Sequence, residues 1–199
     1  MGLHIHSLGE LPANAERAYY VYLLDYGWHE PLGEALRNNF IEMARLASEH
    51  DAVVLQGTVG SHFEDEVLSW HHINNEPADE ILPAILITTR HPQQFQEAPL
   101  GRRMRPNLSD YPLVLIPLRS ACQTTNDVVE LVRKVFRDIA EKKLLSDFEI
   151  AKKIEAEKGG ALVDALVLKP SIAGIGIDLK KLISFFRREV KSKMNNRTP

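Results

Sequence analysis

Five short apolar runs rich in β-branched or aromatic residues, at 18–24, 52–55, 82–89, 113–118 and 162–168, read as strands. Between the first two, Leu32, Leu36, Phe40, Met43 and Ala47 recur at helical spacing and place one apolar face on a helix begun after Pro31. Between the fourth and fifth, Val128, Val132, Val135, Phe136 and Ile139 make a second stripe, with Thr125 as its N-cap. Ser61-His62-Phe63-Glu64 has the capping-box form, in which hydroxyl and carboxylate each satisfy the other residue's backbone N–H, and it opens a helix that runs to about His72. Ser146-Asp147-Phe148-Glu149 repeats the form, and 147–158 reads either as a helix ending at Gly159 or as one arm of a hairpin with the last strand.

Strands alternating with helices of this length imply right-handed crossovers. The predicted fold is a three-layer α/β sandwich: a largely parallel five-stranded sheet with helices on both faces, in a flavodoxin-like arrangement. Residues 96–112, which include Arg102-Arg103-Met104-Arg105-Pro106, have no apolar periodicity and read as one long loop. Near the end, Leu179, Leu182, Ile183, Phe186 and Val190 form a stripe on a helix capped by Asp178. The predicted organisation is therefore a single domain over 1–178 and a basic amphipathic helix over 179–199 packed on it.

Composition narrows the class. With 44% hydrophobic and 26% charged residues in a chain of 199, the sequence has the make-up of an ordinary globular domain with one core. Its one cysteine, Cys122, forbids an internal disulfide and fits a reducing, cytoplasmic setting. No cationic start followed by an apolar run opens the chain, and no stretch approaches the ~18 apolar residues of a membrane span. Charge is uneven: 179–199 holds seven Lys or Arg against Glu189, a surplus of six, so the total of −3 leaves about −9 on the first 178 residues. An acidic body disfavours broad nucleic-acid binding, while the basic helix has the form used against a partner's groove or a membrane surface.

A parallel sheet also says where chemistry gathers. Ligands bind outside the carboxyl ends of its strands, where loops converge and helix N-termini point. Those loops hold Asp25, His29 and Glu30, then Gly57, Thr58, Gly60 and His62 with Glu66 just inside the helix, then Arg90 and His91, then Arg119 and Cys122. The Gly57–His62 turn resembles a phosphate cradle, yet it fits neither the dinucleotide nor the Walker pattern, and Glu64, Asp65 and Glu66 already bring negative charge to that helix start. His71 and His72 are adjacent, and no two histidines stand at i, i+4, so no metal site is predicted and no cofactor is implied. Trp28 and Trp70 read as core or pocket wall.

Cys122, after a strand and before a helix, stands where a helix N-terminus lowers a thiol pKa. Thr89-Arg90-His91 at one strand end and Ser120-Ala121-Cys122-Gln123 at the next resemble, in order, the caspase-like cysteine hydrolases, with Pro92 where that family carries a glycine. The resemblance implies Cys122 as nucleophile and His91 as base, with Glu66, Asp25 or Glu30 as orienting carboxylate. Three functional expectations follow. The leading one is a non-catalytic intracellular module that binds a small ligand or a protein partner within a multi-component system. The second is that hydrolase, and the third is a nucleotide-binding or nucleotide-hydrolysing enzyme using the Gly57–His62 turn and Glu66.

Overall fold

The computed structural model describes residues 1–71, 73, 78–97, 112–152 and 167–168. Within them stand six strands, β1 (Gly2–Ile5), β2 (Tyr19–Leu24), β3 (Ala52–Gly57), β4 (Ala84–Thr88), β5 (Leu113–Pro117) and β6 (Val167–Leu168), in one sheet of order β1-β3-β2-β4-β5-β6. The helices are α1 (Pro31–Asn38), α2 (Phe40–Glu49), α3 (Phe63–Trp70), α4 (Ala78–Ile81), α5 (Pro92–Glu97), α6 (Leu118–Ala121) and α7 (Thr125–Ala140). The α/β class and the helices on both faces are as predicted. The basic helix over 179–199, the arginine-rich stretch near 102–106 and most of the fifth predicted strand lie outside the described residues.

Alternation along the strands divides the core between two faces. Val21, Leu23, Val54, Ile87 and Ile116 pack with Leu36, Met43, Val132 and Phe136 from α1, α2 and α7. Their neighbours Tyr22, Leu24, Leu55, Leu86 and Leu115 pack with Phe63 and Val67 of α3 and Phe95 of α5. Because β2 to β5 are covered on both sides, they read as unbroken apolar runs rather than alternating ones. Each fully buried aliphatic side chain adds ~1.5–3 kcal/mol before ordering costs.

The sheet is mixed, which corrects the largely parallel expectation. β1 and β2 flank β3 in parallel, but β4 runs antiparallel to both β2 and β5, and β6 is antiparallel to β5. β1, β2, β3 and β5 thus point one way, with β4 and β6 reversed. That is not the all-parallel 2-1-3-4-5 order of the flavodoxin-like arrangement. Residue pairing shows how the reversal arises: Leu24 at the end of β2 pairs with Ala84 at the start of β4. The chain leaving β3 therefore comes back to the edge it left from.

Local signals were realised with shifts. The predicted first helix is two, separated at Asn39, where the side-chain amide donates to the Ala35 carbonyl (2.8 Å) and competes with the backbone ladder. α7 is capped by Thr124 rather than Thr125: its hydroxyl accepts from the Asp127 N–H (3.3 Å), while the Asp127 carboxylate accepts from the Thr124 N–H (2.8 Å). At α3 the predicted box is replaced by a turn, since the Ser61 hydroxyl donates to the Thr58 carbonyl (2.7 Å), and the helix stops at Trp70. Near the second predicted box, residues 149–152 are helical and the Glu149 carboxylate pairs instead with Lys134 and Arg137 of α7.

Candidate functional site

β2 and β3 are adjacent and parallel, yet the helices that follow them cover opposite faces. Leu36 of α1 belongs to one core cluster, and Phe63 and Val67 of α3 belong to the other. Loops leaving neighbouring strands toward opposite faces open a crevice between them, the switch-point geometry in which α/β sheets bind ligands. Its walls are residues 25–30 and 58–62.

Charges hold the first wall. The Asp25 carboxylate pairs with Arg37 from the last turn of α1 and also accepts from the Gly27 N–H (3.1 Å). Gly33 makes this approach possible, because a Cβ there would stand 2.8 Å from both carboxylate oxygens. At the far end of the loop, Glu30 receives a two-pronged contact from Arg119, Nε to Oε1 at 2.8 Å and a terminal nitrogen to Oε2 at 2.7 Å. Such a fork fixes orientation as well as charge. Between these anchors the backbone is left-handed at Gly27 (φ 76°) and His29 (φ 52°), a conformation uncommon for a residue with a side chain. The Tyr26 ring lies 5.1 Å from that of Trp28, and its hydroxyl donates to Asp65 at the start of α3 (2.5 Å).

The second wall is a tight strand-to-helix turn. Gly57 lets β3 and α3 approach, since a Cβ there would meet Phe63 Cβ at 2.6 Å, and Gly60 (φ 81°) takes the left-handed step. The Thr58 hydroxyl faces His6 Nδ1 (3.3 Å), and His62 Nδ1 lies 3.7 Å from Asp65. Glu66 is turned away to a structural task, accepting from the Ser7 hydroxyl and the Leu8 N–H, both at 2.8 Å. Burial raises the Glu64 carboxyl pKa, its own backbone N–H lowers it, and the Asp65 charge raises it further. Asp65, the exposed acid in the first turn of α3, presents to the crevice a charge that repels phosphate.

The structure does not bring His91 and Cys122 together. Because β4 is reversed, Arg90 and His91 leave the sheet at the edge opposite Asp25, Gly57 and Arg119. His91 packs edge-on against Tyr20, on the α3 side of the sheet; Gln93 N–H donates to its Nδ1 (3.3 Å), which leaves Nε2 as the donor to the Pro12 carbonyl (3.2 Å). Cys122 is 5% exposed and sits in the other core cluster with Leu118 and Val128. The helix N-terminus that was to activate it is occupied, because the Asp127 carboxylate accepts from the Gln123 and Thr124 N–H groups (each 2.8 Å). The nucleophile–base pair that the caspase-like order implied is therefore not made.

Of the predicted site residues, Asp25, His29, Glu30, Gly57, Thr58, Gly60, His62 and Arg119 gather at one edge. Sequence reasoning missed Arg37, Gly33 and Asp65, whose roles depend on contacts across elements. Tyr26 and Trp28 carried a signal that could have found them, two large aromatics in a loop with Gly27 between. Among the described residues no three His, Cys, Asp or Glu side chains converge as a metal site, and no helix is long and apolar enough to cross a membrane. The chain matches no family model, no curated protein and no solved structure.

Proposed function

We propose that the chain is a non-catalytic binding module, one component of a larger system, and that its ligand or partner docks over the crevice between residues 25–30 and 58–62. One observation carries this reading: α1 and α3 depart from the adjacent parallel strands β2 and β3 to opposite faces. The ion pairs Asp25–Arg37 and Glu30–Arg119 support it, because they hold the loop in shape before anything binds and so reduce the ordering cost of association. These acids and bases neutralise one another, which suits a rigid rim better than proton transfer.

Small-fragment binding followed by backbone amide NMR tests the proposal. Shifts concentrated at 25–30 and 58–62 are expected; hits confined to the opposite edge, around His91, would remove it. Iodoacetamide provides the control for the hydrolase alternative. Cys122 should react only after unfolding, and rapid alkylation of the native thiol below its reference pKa of ~8.5 would restore that alternative.

A further inference from the structure

The outer rim of the crevice carries a feature that loop shape alone does not require. Trp28 is 59% exposed and Val59, on the facing loop, is fully exposed, although large apolar side chains are usually buried. Trp28 is held in place: its ring lies against Tyr26, Tyr26 is bonded to Asp65, and both ends of the loop are fixed by ion pairs. An aromatic surface displayed on a rigid support costs little entropy when it binds.

The exposed charge beneath it is negative. Residues 46–89 contain no Lys or Arg, and of the acids in the first turn of α3 beneath the aromatic pair Asp65 is the exposed one, Glu64 being buried and Glu66 bonded to Ser7 and Leu8. The two arginines that reach this edge, Arg37 and Arg119, face Asp25 and Glu30. Anions are disfavoured here, whereas a cation gains twice, from the negative face of the indole and from Asp65.

Resting on the crevice reading, we infer that this rim docks a basic segment of a protein partner, with an arginine or lysine side chain laid on the Trp28–Tyr26 pair and its charge directed to Asp65. Arginine suits the position best, since its flat guanidinium stacks on an aromatic face while its edge donates hydrogen bonds. Val59 extends the apolar contact beyond one side chain, so a peptide segment fits the surface better than a free cation.

The intact chain can be titrated at low salt with a short peptide alternating arginine and glycine, against its citrulline counterpart, which keeps the shape and removes the charge. The arginine peptide should shift the Trp28 indole N–H and the amides of 25–30 and 58–65. Trp28→Ala should weaken binding by roughly three- to tenfold, the span of a modest cation–π contact, while Trp28→Phe retains part of it. Trp28 is exposed, so these variants should fold normally. Equal binding of the two peptides, indifference to Trp28→Ala, or shifts spread evenly over the acidic surface would overturn the assignment. So would self-association of the chain that Trp28→Ala abolishes, because the surface would then serve a second copy. If the basic peptide fails while neutral fragments still map to the crevice, only the cationic partner is lost; if no probe shifts the crevice, the binding-module reading falls with it.

Discussion

β1, β3 and β2 lie side by side in parallel, and their carboxyl ends bring His6, Asp25 and Thr58 to one edge; β4 and β5 are as buried as β2, yet they deliver His91 and Cys122 to opposite edges. The core makes little distinction between these halves. Val54 and Ile116 belong to one core cluster, and Leu55 and Leu115 belong to the other. Strand direction separates them, and direction decides which polar loops become neighbours. The loops after β2 and β3 flank the crevice, whereas Arg119, just after β5, reaches Glu30 as a brace.

If the halves form one folding unit, Leu55→Ala in β3 and Leu115→Ala in β5 should each cost ~2–5 kcal/mol, as buried leucines do when truncated. Urea unfolding should show a single transition in both variants, with fluorescence and circular dichroism coinciding. A Leu115→Ala protein whose reversed half melts first would break the comparison, because the crevice half would then stand alone.

A smaller effect sharpens the contrast within the crevice. Gly57→Ala drives a methyl into Phe63 and should cost ~1–3 kcal/mol, whereas Gly60→Ala meets no neighbour and pays only for its left-handed backbone, ~1–2 kcal/mol. Fragment shifts should weaken in the first variant, whose helix is displaced, and persist in the second. Thermal melts and amide NMR together check both.

Glu64 gives the smallest effect and a sign. Burial above all keeps its carboxyl protonated to higher pH in the folded chain than in the unfolded one. Folding therefore takes up a proton between the ordinary carboxyl range and the raised value, and stability contributed by this group falls as pH rises through that window. Glu64→Gln should be more stable than the parent above the window, with the advantage fading as pH drops below the ordinary carboxyl range. Chemical denaturation at a series of pH values measures it, and an advantage that grows toward acid would contradict the assignment.

Period and composition alone located β2, β3, β4 and β5 to within a residue or two, found the apolar faces of α1, α2 and α7, and pointed to the loop residues that now line the crevice. Those features are local: a run buried on both faces, or a stripe at helical spacing, leaves the same imprint whatever surrounds it. β1 left no such imprint, because in this short strand at the sheet edge only Ile5 is buried and His4 is exposed. Likewise, Thr124 and Thr125 are equivalent as letters, and the carboxylate of Asp127 reaching back to the Thr124 N–H makes the choice. Only the tertiary structure decided the direction of β4. An apolar run such as 84–88 buries the same side chains in the same two cores whether it ascends or descends, so burial carries no arrow. That direction came from the return of the chain to the edge beside Leu24, and with it came the separation of His91 from Cys122.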